Sequence, residues 1–134
     1  MTFVDTGAFI ARYLADDSLH QRALEVWPQL AAERLFTSNH ILDETLTYIG
    51  RHSSYLFAAE CGERLYGSEK LEIIFSTQED ETAALQLFRK FADQKVSFTD
   101  CVSFAIMRKF GIQTAFTFDR HFLHAGFRII GAKP

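Results

Sequence analysis

The sequence predicts an α/β protein: a three-layer α/β/α sandwich whose helices cover both faces of a parallel sheet of about five short strands. Three observations lead there. Short apolar runs alternate with longer stretches of helical periodicity along the whole chain, the pattern of repeated strand–helix units. The strand candidates are too continuously apolar to turn one face to water, so they must be buried on both sides. The 134 residues are 48% hydrophobic and include 14 phenylalanines. A chain of this length buries roughly two thirds of its unfolded surface and folds without disulfides or a structural metal.

The elements follow in order. Thr2–Asp5, with Phe3 and Val4, is an apolar run ended by Thr6-Gly7 and reads as a buried strand. Ala8–Leu14 has helical composition, and Asp16-Asp17-Ser18 supplies caps for a helix from His20 to about Glu33. In that helix Leu19, Ala23, Val26, Trp27 and Leu30 recur at three- and four-residue spacing. Pro28 has no N–H to donate, so it should kink the helix or split it in two. Leu35–Ser38 is a second strand, and Ser38 or Asn39 caps a helix through Arg51. Its Ile41, Thr45 and Tyr48 share one stripe; Leu42, Leu46 and Ile49 share the next.

Ser54–Tyr66 gives another helix, broken at Gly67-Ser68, and Leu71–Phe75 carries a strong buried-strand signal. Glu79–Asp93 is helical, with Ala83, Ala84, Leu87, Phe88 and Phe91 on one side. Thr99–Phe110 is a helix stopped by Gly111, which tolerates the left-handed backbone that ends helices. Thr114–Phe118 is a strand, Arg120–His124 a short helix and Phe127–Ile130 a last strand. No linker, repeat or low-complexity stretch interrupts the pattern, so residues 1–134 read as one domain.

Bulk features exclude several classes. Cys61 and Cys101 are too few for a disulfide framework and too far apart for a CxxC pair. They read as small buried hydrophobes in a reducing compartment. The first residues lack a basic region followed by an apolar one, and no apolar run reaches the length of about 20 residues that spans a membrane. The expected location is the cytoplasm, with no membrane contact. A net charge of −3 argues against a broad basic face gripping nucleic acid. It leaves room for a nuclease that concentrates carboxylates, because a bound cation reverses the local sign.

Four acids carry the chemistry. Ligands of open parallel sheets bind outside the carboxyl ends of the strands. Asp5 closes the first strand and Asp119 directly follows Thr114–Phe118, so both point to one sheet edge if those strands are neighbours. Asp100 lies in the first turn of the helix leading into that second strand, and Glu44 about one and a half turns into the helix leaving Ser38. Four carboxylates in one crevice would repel, and some would protonate, unless divalent cations joined them. Mg²⁺ or Mn²⁺ prefers oxygen ligands, and such sites suit phosphodiester hydrolysis by an activated water, with one metal or two.

Each acid also has a purely structural explanation. Asp5 and Asp119 both precede helices, where Asp is a favoured N-cap. Ser97-Phe98-Thr99-Asp100 matches the S-x-x-D capping pattern, and Glu44 beside Asp43 could face solvent. Capping does not predict that all four fall beside strand ends.

Four segments carry a family resemblance: Phe3-Val4-Asp5-Thr6-Gly7-Ala8-Phe9-Ile10-Ala11, Leu42-Asp43-Glu44-Thr45-Leu46-Thr47, Ser97 to Met107, and Ala115-Phe116-Thr117-Phe118-Asp119-Arg120-His121-Phe122. The chain resembles the PIN-domain proteins from residue 3 to about 130, and among them the VapC-type toxin ribonucleases. The resemblance implies that Asp5, Glu44, Asp100 and Asp119 form the catalytic Mg²⁺ or Mn²⁺ site of an endoribonuclease that cleaves RNA. None of the four is replaced, which implies an active member. It further implies the sheet order 3-2-1-4-5, a homodimer and a VapB-type antitoxin as partner. Thr6, Ser38 and Thr117 lie near the same strand ends and are candidates to hydrogen-bond the acids or simply to pack and cap.

Other candidates are weaker. Among Arg12, Arg51, Arg108, Lys109 and Arg120, the last is best placed to meet a phosphate, and the rest read as solvated surface. His20, His40, His52, His121 and His124 show no metal-ligand spacing joined to a carboxylate and read as structural or surface residues. Phe104, Phe110, Phe116, Phe118 and Phe122 read as core. Phe57, Leu65 and Tyr66 suit either core packing or a dimer or antitoxin contact. A phosphatase of the haloacid-dehalogenase type would want DxD where this chain has Asp5-Thr6-Gly7, and a receiver domain would want an Asp where it has Phe75-Ser76-Thr77. The alternative from another class is a catalytically weak or inactive module that binds RNA or protein.

Overall fold

Five parallel strands form the sheet in a computed structural model that describes residues 1–132. In chain order these are β1 (Thr2–Val4), β2 (Leu35–Ser38), β3 (Leu71–Ile74), β4 (Thr114–Thr117) and β5 (Arg128–Gly131). They are arranged β3-β2-β1-β4-β5, and every neighbouring pair is parallel. The expected class and the order implied by the resemblance are both found. Parallel neighbours need crossovers. The helices that supply them are α1 (Thr6–Tyr13), α2 (His20–Val26), α3 (Asn39–His52), α4 (Tyr55–Tyr66), α5 (Gln78–Lys90), α6 (Phe98–Phe110) and α7 (His121–His124). α1 packs with α2 and α3, and α3 with α4; α5 packs with α6, and α6 with α7. Because parallel crossovers are right-handed, the first group covers one face and the second the other.

Local chemistry sets the boundaries. Pro28 splits the long helix expected over 20–33: α2 ends at Val26 and a 3-10 turn, Trp27–Leu30, follows with Pro28 in its first turn. The hydroxyls of Ser38 and Ser54 accept the Ile41 and Phe57 N–H groups and start α3 and α4. Thr77 and Asp80 form a reciprocal capping box on α5. Gly111 ends α6 with φ 68°, the left-handed conformation expected of it.

The core lies on both sides of β1 and β4. Phe3, Phe9, Phe104, Phe116 and Phe122 are fully buried. Each contributes about 2–3 kcal/mol of burial relative to exposure. Cys61 and Cys101 are free and buried, as read from sequence.

Three expectations of burial are corrected. β3 pairs only with β2, so it is an edge strand with half-buried side chains, and Phe75, expected inside it, lies beyond its end and is 62% exposed. α5 buries Ala84 and Leu87, and Phe91 at its C-cap is buried too, but Ala83 and Phe88 are not; Phe88 sits one step round the helix and is 44% exposed. Phe110, at the last turn of α6, is 47% exposed. No helix among the described residues is long and apolar enough to cross a membrane.

Candidate active site

The strand order creates the site. β1 is flanked by β2, which the chain reaches over one face, and by β4, which it reaches over the other. Chain segments leaving β1 and β4 therefore diverge and open a crevice at the carboxyl edge of the sheet. That crevice, of about 450 Å³, is lined by Asp5, Glu44, Asp100 and Asp119 together with Thr6, Gly7, Ile10, Tyr48, Lys95, Ser97, Phe118 and His121. All four acids singled out in the sequence reach it.

Each is delivered differently. Asp5 is the residue between β1 and α1, and although it occupies the N-cap position its side chain makes no capping bond. Its Oδ2 instead accepts a 2.7 Å hydrogen bond from Thr117 Oγ1, at the end of β4. The same Thr117 oxygen accepts the Asp119 N–H at 3.0 Å, so one hydroxyl ties the two strand ends together. Asp100 sits in the first turn of α6, where Ser97 Oγ accepts the Asp100 N–H at 3.1 Å. The reciprocal half of that capping pattern is absent, and the Asp100 carboxylate turns into the crevice. Asp119 lies one residue before the N-cap of α7, and its Oδ1 accepts the His121 backbone N–H at 2.8 Å while it lines the crevice. Glu44, on α3, is the exposed member at the rim.

Electrostatics mark the cluster as strained without a cation. Asp5 is 6% exposed, and burial pushes its carboxyl up to about 6 against the pull of the Thr117 hydroxyl and the Thr6 N–H; the charges of Asp119 and Glu44 add to the rise. Asp100 is 8% exposed and is pushed up to about 8, first by burial and then by the charges of Asp5 and Asp119. Thr6 Oγ1 is buried beside these acids with no hydrogen-bond partner. An all-oxygen donor set with excess negative charge and an unpartnered hydroxyl fits a hard divalent cation.

His121 is the residue the sequence reading set aside. Its Nδ1 lies 3.2 Å from Asp119 Oδ1 and 3.8 Å from Asp100 Oδ2. Asp100, Asp119 and His121 form a group whose potential ligand atoms all lie within 4.8 Å of one another. Asp5 and Glu44 stand just outside it. The only sequence signal was the position of His121 two residues after a strand-end acid. Thr117 has the hydrogen-bonding place suggested for it; Ser38 caps α3.

None of the five cations weighed in the sequence is among the residues lining the crevice. Arg12 lies over the Trp27 ring at 4.6 Å, Arg108 donates to the Ala125 carbonyl, and Lys109 pairs with Asp80 at 3.2 Å. Arg51 and Arg120 are exposed, and Arg120, though between Asp119 and His121, is not among the lining residues. The crevice lysine is Lys95, held at φ 55° after the 3-10 turn Ala92–Gln94, where glycine or asparagine would be the ordinary choice.

Known proteins resemble this chain in sequence and fold to different degrees. Residues 2–128 match the PIN domain family. The chain is 35% identical over 127 residues, 95% of each protein, to the 23S rRNA-specific endonuclease VapC20 of Mycobacterium tuberculosis. It is also 35% identical over 104 residues to a VapC ribonuclease of Archaeoglobus fulgidus, covering 75% of this chain and 65% of that one. The crystal structure of M. tuberculosis VapC20, described as a Sarcin-Ricin loop cleaving toxin, superimposes with a TM-score of 0.90 at 32% identity over the whole of both chains. That of FitAcB from Neisseria gonorrhoeae shares the fold, with a TM-score of 0.68 at 16% identity over 97% of this chain and 96% of that one.

Proposed function

The chain belongs to the PIN domain family, among its VapC-type members, and from its site we propose that it is a metal-dependent endoribonuclease, the toxin of a toxin–antitoxin pair. The observation that carries this reading is the convergence of Asp5, Glu44, Asp100 and Asp119 on one crevice, with two of them buried and driven toward protonation. Such a site is costly to keep unless a cation enters it, and the bound cation then lets it accept a polyanion. Asp5, Asp100 and Asp119 would hold Mg²⁺ or Mn²⁺, with Glu44 reaching it from the rim. When bound, the cation supplies Lewis-acid activation of water and of the phosphodiester.

The side chains divide the remaining work. Thr117 fixes Asp5 and, through the Asp119 N–H, the turn that carries Asp119. His121 donates its N–H to Asp119 and sets its Nδ1 against the Asp119 carboxylate, which holds that acid toward the crevice. No serine, threonine or cysteine nucleophile is needed, because water attacks phosphorus directly and no covalent enzyme intermediate forms.

Thr117→Val keeps the side-chain shape but removes both hydrogen bonds. It is expected to weaken Mn²⁺ binding by roughly 10- to 100-fold, the usual effect of losing a group that orients a metal ligand. Isothermal titration calorimetry checks this, and an unchanged affinity would remove Thr117 from the site.

Ribosomal RNA is the first substrate to try, since the relative VapC20 is named for 23S rRNA. A VapB-type antitoxin and a homodimer complete the proposal. The test is incubation of purified protein with ribosomes and with total cellular RNA, with Mg²⁺ or Mn²⁺ and with EDTA, and mapping of the ends. Discrete metal-dependent cuts are expected. Intact RNA from folded, antitoxin-free protein with either metal would favour the binding-module alternative.

A further inference from the structure

We propose that a groove beside the acidic crevice binds the RNA nucleotides flanking the scissile phosphate, stacking a base on Phe88 and holding a phosphate at Lys95. The proposal rests on the ribonuclease reading and adds a substrate subsite to it. The groove, of about 910 Å³, runs between α5 and the start of α6 and is lined chiefly by Leu85, Phe88, Arg89, Lys95, Ser97 and Phe98. Lys95 and Ser97 line the crevice as well, so the two concavities adjoin at these residues. A strand leaving the four acids past Lys95 and Ser97 would enter the groove that Phe88 lines.

Charge and aromatic exposure identify the occupant. The charged residues lining the groove, Arg89 and Lys95, are both positive in a chain of net charge −3. Among the described residues neither forms a salt bridge, whereas Arg22, Arg34 and Lys109 do. Phe88 is an exposed aromatic on a helix that buries other side chains, and Phe98 braces it edge-on at 5.7 Å. Cations alternating with exposed rings are the chemistry of single-stranded nucleic-acid tracks, where phosphates meet the charges and bases stack. Lys95 is also kept in a left-handed backbone that puts a cation at the junction of groove and crevice.

The test separates binding from cleavage by using the full chain carrying Asp5→Asn and a fluorescein-labelled 12-nucleotide single-stranded RNA of mixed sequence. Adding Phe88→Ala is expected to weaken binding about tenfold, and Phe88→Trp to restore it with quenching of the new tryptophan. Lys95→Gly, which suits the left-handed backbone, should reduce the slope of log affinity against log salt by about 0.7, one phosphate contact. Lys70→Ala, at the opposite edge of the sheet before β3, should change neither. In the chain with Asp5 intact, Phe88→Ala and Lys95→Gly should raise KM for RNA with kcat kept. Wild-type binding by both variants, while the unsubstituted chain still cleaves, overturns the subsite and spares the ribonuclease. So does a change in oligomeric state on Phe88→Ala with RNA binding unchanged, which would make the groove a contact between protein chains. Absence of both binding and cleavage overturns the ribonuclease reading and the subsite with it.

Discussion

Asp5→Asn is expected to lower the rate of RNA cleavage by about 10²–10³-fold or more while the protein stays folded, because a preorganised charge at the reacting centre is lost. The substitution is nearly isosteric. Asn keeps an oxygen to accept the Thr117 hydroxyl, now 2.7 Å from Asp5 Oδ2, so the link between β1 and β4 survives. What disappears is a buried negative charge on the floor of the crevice. Removing it costs the site a cation ligand, yet it relieves the fold of a carboxyl that burial already drives toward protonation. Activity and metal-free stability should therefore move in opposite directions. Initial rates with Mn²⁺, beside circular dichroism and a thermal melt, read both. A rate within a few-fold of wild type would sink the assignment of Asp5, and a collapsed melt would show that its role is to hold the fold.

The same opposition explains what could be read from the sequence and what could not. Strands and helices were legible because apolar runs and three- to four-residue spacings are local facts, and Pro28 and Gly111 acted as their backbone chemistry requires. Asp5 and Asp119 were legible because each closely follows a strand, and Glu44 and Asp100 because each lies in the first two turns of a helix, within the segments that carry the family resemblance. The capping explanation was half right. Ser97 caps α6 without any return bond from Asp100, and Asp119, one residue before the N-cap of α7, accepts the His121 N–H while remaining in the crevice. The strand order came from family resemblance, since nothing local tells β1 that β2 and β4 will flank it.

His121, Lys95 and Phe88 escaped for reasons of geometry. His121 faces Asp100 and Asp119 because the Asp119 carboxylate pulls its N–H back at the start of a four-residue helix. Lys95 reaches the crevice from a left-handed position that sequence rules assign to glycine or asparagine. Phe88 sits at a spacing that fits the buried stripe of α5, yet only Ala84, Leu87 and Phe91 of that set turn inward. The position of a helix against its partner decides such cases, and periodicity alone leaves a margin of one residue.

The second large effect is expected in the pH dependence of stability, with and without metal. Asp5 and Asp100 have carboxyl groups raised from an ordinary 3.8 to about 6 and about 8. A raised acid binds its proton more tightly in the folded state than in the unfolded one. Its contribution is therefore intact below about pH 4, where both states are protonated, and is lost as pH rises through the folded values. For Asp5 the two-unit rise corresponds to about 3 kcal/mol, or ~10 °C in the melting temperature of a chain this size. Metal-free protein should thus become less stable from pH 4 to pH 8. Mn²⁺ stabilises the charged carboxylates, so it should raise the melting temperature far more at pH 8 than at pH 5. Asp100→Asn supplies the control, because other titrating groups also change over this range. It should melt higher than wild type at pH 8 without metal, converge with it toward pH 4, and respond weakly to Mn²⁺. An equal Mn²⁺ shift at both pH values, or an Asp100→Asn protein no more stable than wild type at pH 8, would mean that the buried acids are held by the fold itself and not by a cation.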